Sequence, residues 1–180
     1  MRHLTLITTG GTIEKTYDEQ SGTLDNRRSI VRRMLRRLRL EGARVSTIEL
    51  MSKDSLAMTD DDRLRILEVV RATASTRLRP ESPDQRGGVV ILHGTDTLCT
   101  TGELLHQHLA AVPGELQEAV VLTGAMRPFE MTRSDALQNL TEAVFAAGTL
   151  APGVYCVAHG RALAFPGVRK DRERGTFIKG

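Results

Sequence analysis

Leu4-Thr5-Leu6-Ile7-Thr8-Thr9-Gly10-Gly11-Thr12-Ile13 reads as a short buried strand that runs straight into two glycines and then a threonine. A strand ending in paired glycines makes a backbone turn with no side-chain cover, which leaves the Thr12 hydroxyl open at the strand's carboxyl end. In open α/β sheets that end is where ligands bind. A second stretch repeats the layout: Val89-Val90-Ile91-Leu92 is another apolar run, followed directly by His93-Gly94-Thr95-Asp96-Thr97. Two parallel strands of this kind deliver Thr12 and the Thr95-Asp96 pair to one edge of one sheet, so that a hydroxyl and a carboxylate share a crevice. Taken singly, Thr12 also reads as a strand-end threonine capping its own turn, and Asp96 as an N-cap for a helix starting near Thr100.

Working outward, short apolar runs alternate with helix-like segments. Strands are expected near 3–9, 43–50, 88–93, 119–123 and 153–158, and helices near 27–40, 60–77, 100–111 and 134–147. This is the alternation of a parallel sheet with helices on both faces. The expected fold is therefore α/β, an open, mostly parallel, Rossmann-like sheet in a single domain covering 1–180. Thr59 before Asp60-Asp61-Asp62 and Ser134 before Asp135 suit helix starts, while Gly42 and Gly148 suit helix ends. Residues 79–86 read as a polar, proline-bearing loop. Residues 13–26 are polar and long for a strand-to-helix connection, the kind of loop that carries function, and Tyr17 within it is placed to close over Thr12.

Composition limits the alternatives. The 180 residues are 40% hydrophobic and 26% charged, enough to bury one ordinary core. No apolar run approaches membrane-spanning length, and the amino-terminal stretch is too short for a secretory signal, so a cytoplasmic protein without membrane contacts is expected. Cys99 and Cys156 lack C-x-x-C spacing and read as reduced thiols. The five histidines are scattered, and His106 and His108 fall on different helix faces, so no metal is expected. The net charge of +3 comes largely from arginines between Arg27 and Arg44. In a helix there, Ile30, Val31, Met34, Leu35 and Leu38 form one apolar stripe opposite Arg28, Arg32, Arg33, Arg36 and Arg37. With aromatics at only 3% of residues, this basic face reads as solvated rather than as a nucleic-acid surface.

Four words in order, Thr9-Gly10-Gly11-Thr12-Ile13, Lys53-Asp54-Ser55 with Met58-Thr59, His93-Gly94-Thr95-Asp96-Thr97 and Gly124-Ala125-Met126-Arg127-Pro128, resemble the bacterial-type L-asparaginase and glutaminase-asparaginase family. Ser134-Asp135-Ala136 with Asn139-Leu140 extends the resemblance over most of the chain. It implies a cofactor-free amidohydrolase that converts asparagine, and glutamine more weakly, to the acid and ammonia through a threonine acyl-enzyme.

Carried over residue by residue, the resemblance makes Thr12 the nucleophile and Tyr17 its helper. Thr95, Asp96 and a downstream lysine, Lys170, become a hydroxyl-lysine-carboxylate set. Gly11, Asp54, Ser55, Thr95, Asp96 and Ala125 then surround the substrate. The chemistry needs such groups because an alcohol is a poor nucleophile until a base or relay takes its proton, and a lysine can serve only where burial favours its neutral form or the proton is passed on. Lys170 also reads as an exposed lysine in a charged tail. An amino-acid substrate calls for a carboxylate against its ammonium, a role that the resemblance assigns to Asp96. It also calls for hydroxyl or amide donors against its carboxylate, a role assigned to Ser55. Arg127-Pro128 reads as a turn braced by Arg133 and Asp135.

Two features depart from the family pattern. Members commonly carry a second, C-terminal domain that adds an acidic residue near the substrate ammonium, and the chain is expected to act as a short single-domain form, as a homo-oligomer. Leu56 stands where many members have a polar residue, which predicts weaker substrate affinity. The alternatives are the amidohydrolase subunit of a tRNA-dependent amidotransferase, expected to carry partner-docking extensions not seen in this sequence, and a catalytically silent amino-acid-binding domain.

Overall fold

The computed structural model describes residues 1–75 and 87–180. Its centre is a six-stranded sheet built from β1 (Arg2–Gly10), β4 (Ala43–Lys53), β5 (Gly88–Leu92), β6 (Ala119–Thr123), β7 (Gly153–Ala158) and β8 (Arg161–Ala164) in the order β4-β1-β5-β6-β7-β8. The first five are parallel, and β8 folds back antiparallel on β7. Hairpin strands β2 (Thr16–Asp18) and β3 (Thr23–Asp25) and the ribbon of β9 (Val168–Asp171) with β10 (Thr176–Lys179) stand outside the sheet.

Alternation of side chains sorts the apolar strands into two buried faces. Val90 and Leu92 of β5 and Val121 of β6 face a layer formed by α1 (Val31–Leu35) and α4 (Ala136–Ala147), with Met34, Leu140 and Val144 closing over them. Val89, Ile91, Val120 and Leu122 face α2 (Asp60–Ser75) and α3 (Leu98–Ala110), where Ile66, Leu67 and Leu105 cover them. Every residue of β5 and β6 is buried, as a strand covered on both sides requires. Each fully buried Val, Leu or Ile contributes roughly 1.5–3 kcal/mol, so these two central strands anchor the frame that carries the crevice.

The strand order decides where the crevice lies. The chain leaves β1 for β4 on one side, then crosses over β1 to β5 and continues to β6 and β7 on the other. The reversal falls between β1 and β5, and loops leaving the carboxyl ends of these neighbours diverge and open a crevice there. Thr12 follows β1 and Thr95 follows β5, so the two motifs flank the switch point.

Several expectations are corrected. The helix expected over 27–40 is confined to Val31–Leu35, with turns to Leu38. Its N-cap is Ile30, which makes no side-chain cap bond, and an arginine run on one helical face repels itself. The apolar stripe still packs as expected: Val31 and Met34 are fully buried, with Ile30, Leu35 and Leu38 against the same cluster. Gly42 (φ 75°) closes no helix; its carbonyl accepts from Arg2 N at 2.8 Å, at the start of β4. The segment 13–26, expected as a loop, holds a turn of 3-10 helix (Thr12–Glu14) and the β2–β3 hairpin. The charged carboxyl-terminal region contains β8, β9 and β10. The final residues of the helix expected to 77, and the loop expected over 79–86, lie outside the described residues.

The expected start of α2 has a reciprocal cap bond. Thr59 Oγ1 accepts from Asp62 N at 3.3 Å while Asp62 Oδ2 accepts from Thr59 N at 3.0 Å, a reciprocal capping box for α2. At α4 the N-cap is Asp135 and not the expected Ser134, and it makes no side-chain cap bond; Ser134 Oγ, one residue earlier, accepts from Ala136 N at 3.1 Å, and Gly148 ends the helix. No helix among the described residues is long and apolar enough to cross a membrane.

Candidate active site

Glycines bring the motif turns together. Gly11 has φ 81°, a conformation a side chain resists, and a methyl placed on it would lie 2.4 Å from the backbone of Gly94. A methyl on Gly94 would in turn lie 2.6 Å from the Cβ and Oγ of Ser55. The residue before Thr12 therefore touches the residue before Thr95, which touches Ser55. Threonine hydroxyls lock the strand ends beneath: Thr9 Oγ1 donates to Leu92 O at 2.8 Å and Thr123 Oγ1 to Val157 O at 2.6 Å.

Ion pairs fix the flanking turns. Lys53 holds both carboxylate oxygens of Asp62 at 2.8 Å, which ties the end of β4 to the cap of α2 and brackets the Ser55 turn. This lysine and the Thr59 amide together hold the Asp62 carboxyl down at about 2. Lys15, three residues past Thr12, reaches Asp54 at 2.9 Å. The other Asp54 oxygen accepts from Leu56 N at 3.0 Å, so this carboxylate organises the turn on which Ser55 sits. Ser55 itself is buried, its carbonyl accepts from Thr97 Oγ1 at 2.8 Å, and the neighbouring Leu56 is 72% exposed.

Lys170 arrives from β9. Val168 and Lys170 share one face of that strand; Val168 is buried, and Phe177, directly across from Lys170 on β10, is buried as well. These two apolar anchors seat the ribbon against α3 and β7 and aim the lysine inward. Its Nζ donates to Thr95 Oγ1 at 2.8 Å and to Asp96 Oδ1 at 3.0 Å. Lys170 is therefore not a tail lysine, and it joins Thr95 and Asp96 in one hydrogen-bonded set. Nor is Asp96 a helix cap: the N-cap of α3 is Thr97, and the Asp96 carboxylate faces Lys170 and Arg172.

The loop after β6 closes the crevice. Met126 N and Arg127 N donate to the Asp135 carboxylate at 3.0–3.1 Å, so Asp135 supplies the expected brace without Arg133, and Asn139 Nδ2 bonds both Gly124 O and Asp135 at 2.9 Å. His159, at φ 53°, completes this brace through Nε2 to Asp135 at 2.8 Å, while its amide donates to Asn139. Burial works against the charged form of Asp135, yet the Met126 amide, His159 and the Arg127 amide outweigh it and hold the carboxyl below its ordinary value. Ala125, buried at the centre of this loop, has its backbone placed by these bonds.

Tyr17 stands apart from that set. It lies on β2 with 58% of its surface exposed, and its amide donates to Glu130 Oε2 at 3.1 Å. Glu130 also pairs with Arg33 at 2.9 Å, while Arg33 and Arg37 lie over the Phe129 ring. Part of the basic face thus serves to pin the hairpin and the loop after β6 to α1.

Two buried ionisable residues escape the sequence reading. His93 is fully buried, and burial lowers it to about 4, which keeps the ring neutral. Gly94 O can only accept, so Nδ1 carries the proton and Nε2 takes the Thr101 hydroxyl, both at 2.8 Å. The ring thereby braces the Gly94 turn against α3. Glu14 lies beneath the Thr12 turn with 2% exposure, accepting from Gly10 N at 3.2 Å and from the Ser29 hydroxyl. Burial pushes its carboxyl from an ordinary 4.5 up to about 7, and those donors oppose the rise only in part. Beside the site, burial and Glu103 raise the Cys99 thiol to about 11, so it is no nucleophile at neutral pH.

Glu14 carries a stability prediction. A carboxyl whose folded value lies above its unfolded one weakens the fold as pH rises through the interval between them. Here that interval is 4.5 to about 7, and at ~1.4 kcal/mol per pH unit the folded state loses ~3 kcal/mol across it. Glu14→Gln is expected to flatten this slope, so that the variant gains roughly 1–3 kcal/mol over the parent at pH 8 and gains nothing at pH 5. Urea midpoints at the two pH values check it; parallel pH profiles of parent and variant would refute it.

With this geometry in place, comparison with known proteins gives a direct result. The family model described as Asparaginase, N-terminal, matches residues 3–176. The chain belongs to the asparaginase family. It is 31% identical to the L-asparaginase of Thermococcus kodakarensis over 152 residues, 84% of this chain and 42% of that protein. The solved structure of the thermostable enzyme from that organism superposes with a TM-score of 0.81, covering 98% of this chain and 51% of that one. A probable cytoplasmic L-asparaginase of Campylobacter jejuni superposes with a TM-score of 0.70 at 27% identity, over 94% of this chain and 48% of that one. The chain is also 27% identical to one subunit of the glutamyl-tRNA(Gln) amidotransferase of Methanococcus vannielii, over 89% of its own length and 35% of that protein. It thus spans between about a third and a half of the length of these relatives.

Proposed function

We propose that this asparaginase-family amidohydrolase hydrolyses the side-chain amide of L-asparagine, and of L-glutamine more weakly, through an acyl-enzyme on Thr12. The observation that carries the reading is the Thr95–Lys170–Asp96 set, held by bonds of 2.8 and 3.0 Å beside the turn that presents Thr12. Lys170 donates to the Thr95 oxygen and thereby turns the Thr95 hydroxyl proton outward, toward a bound group.

In this reading Thr12 Oγ attacks the amide carbon as its proton passes through the site to the leaving nitrogen. The carbon–nitrogen bond breaks, ammonia departs and an ester to Thr12 remains. Water then adds to the ester, the Thr12 oxygen takes back a proton, and the acid leaves. The developing oxyanion faces backbone amides of the turns at Thr12, Thr95 and Ala125, where each well-placed donor is worth roughly 3 kcal/mol. Tyr17 assists Thr12 if the β2–β3 hairpin moves inward, and Asp96 and Ser55 receive the ends of the amino acid. No cofactor enters any step. We further propose a cytoplasmic location, in keeping with the likeness to the probable cytoplasmic L-asparaginase of Campylobacter jejuni, and, as a separate proposal, assembly as a homo-oligomer.

The purified chain is expected to release ammonia from L-asparagine faster than from L-glutamine, with a covalent adduct on Thr12 in acid-quenched samples read by mass spectrometry. Equal rates would refute the asparagine preference, and binding without ammonia release would favour a silent binding domain. The likeness to the amidotransferase subunit supports a second reading, in which glutamine is the ammonia source for a partner. Faster turnover of glutamine would select it.

A further inference from the structure

One carboxylate in the site carries more positive charge than the proposed reaction explains. Asp96 Oδ1 faces Lys170 Nζ at 3.0 Å and also Arg172 Nη1 at 3.4 Å. Lys170 is held inward by the β9–β10 ribbon, its side chain only 16% exposed, and its bond to Thr95 leaves it no alternative position. Arg172 lies just past the end of β9, and its side chain is 73% exposed. The neighbouring acid Asp171 does not offset this guanidinium, because it turns to Arg174, accepting from that residue's amide at 3.0 Å. Two cations thus meet one carboxylate, the one to which the reading above assigns the ammonium of an amino acid. A third cation there must either displace the guanidinium or bind against it.

We propose that Arg172 is a specificity-determining residue that occupies Asp96 in place of a substrate ammonium and directs the site toward side-chain amides of small carboxylic acids lacking a free α-amino group. The inference rests on the amidohydrolase reading above and refines its substrate class: asparagine, whose ammonium must displace Arg172 from Asp96, is still turned over, but side-chain amides without that charge are turned over at least as well. A guanidinium is a planar fork suited to a carboxylate, so the arginine that opposes an ammonium also attracts the acid end of such a substrate. The rim agrees with this chemistry: Leu56, next to Ser55, is an exposed apolar side chain that offers an ammonium no polar partner. Succinamate, which is asparagine without its amino group, is the simplest member of the class, and N-acetyl-L-asparagine is a member with its nitrogen blocked.

The test compares ammonia release from L-asparagine, succinamate and N-acetyl-L-asparagine by the parent chain, Arg172→Ala and Arg172→Lys. The parent is expected to turn over succinamate with a kcat/KM at least equal to that for asparagine. Exposed ion pairs shift affinities by up to about five-fold. Arg172→Ala is therefore expected to lower KM for asparagine about five-fold and to raise it about five-fold for succinamate, with kcat little changed, and Arg172→Lys should fall between. Turnover of N-acetyl-L-asparagine alongside succinamate would show that the missing charge is what matters; succinamate alone would restrict the class to unsubstituted chains. A parent that prefers asparagine ten-fold, or a ratio that Arg172→Ala leaves unchanged, overturns the proposal while the amidohydrolase reading stands. If no ammonia is released from any amide, that reading fails by itself, and calorimetric affinities of the same ligands for parent and Arg172→Ala decide the proposal by the same ratio.

Discussion

Thr12→Ala is expected to reduce ammonia release by on the order of 10³-fold or more, because in the proposed reaction it deletes the atom that forms the covalent bond and leaves only binding and oxyanion stabilisation. The loss should fall on kcat, with KM for asparagine little changed, since Ser55, Asp96 and the amides around the crevice are untouched. Stability should move little. Thr12 is only partly buried, and the contacts that shape its turn are made by the backbone of Gly11 and the amide of Gly10. Substitutions at such positions usually fall within about 0.5 kcal/mol. Thr12→Ser restores the hydroxyl without the methyl and should recover most of the rate. A Thr12→Ala protein that still forms an acid-stable adduct would place the nucleophile elsewhere and sink the assignment.

What the sequence makes legible follows from how each element is stabilised. β5 and β6 stand out because every residue in them is buried, and β1 and β7 because most of theirs are, so each contains an apolar run legible in its own right. Their pairing partners follow from the alternation with helices. The glycine words at their carboxyl ends mark the crevice because only glycine permits the contact between Gly11 and Gly94. By contrast, β8, β9 and β10 are short and polar, and β9 and β10 owe their position to Val168 and Phe177, two buried residues separated by a turn. No local pattern announces such a ribbon. Lys170 is accordingly singled out by resemblance and not by spacing, although its face on β9 follows once the strand is known.

Glu14 and His93 stay hidden for a related reason. Each is a polar residue at the edge of a motif, and each owes its hydrogen-bonded burial to an element beyond that motif: Ser29 and the start of α1 for Glu14, Thr101 on α3 for His93. His159 is similar, since its value lies in reaching back to Asp135 on another loop. A sequence displays such residues only as isolated polar letters. The arginine-rich segment misleads in the opposite direction, because its apolar stripe promises a long helix that like-charge crowding confines to Val31–Leu35.

Lys170→Met is expected to lower kcat by roughly 10²- to 10⁴-fold, the range for losing a group that manages a proton, the role the proposed reaction gives this lysine. Methionine keeps an unbranched stem to pack beside Phe177, so the variant isolates the ammonium from the ribbon it rides on. Without Nζ, the Thr95 hydroxyl loses the donor that fixes its direction, and Asp96 keeps only the exposed guanidinium of Arg172. The stability cost should stay within about 1–3 kcal/mol, the range for unsatisfying one or two polar groups, because Asp96 is partly solvated. Lys170→Arg separates charge from geometry. It restores a cation beside Asp96, but its planar fork cannot donate from a single point to both Thr95 Oγ1 and Asp96 Oδ1 as an ammonium does, so its rate should stay near that of Lys170→Met. Steady-state kinetics on both variants, with thermal melts to establish folding, make the comparison. If Lys170→Arg regains the parent rate, simple charge neutralisation of Asp96 suffices and the Thr95 contact is dispensable. If Lys170→Met itself stays within a few-fold of the parent, the hydroxyl-lysine-carboxylate set has no part in the chemistry.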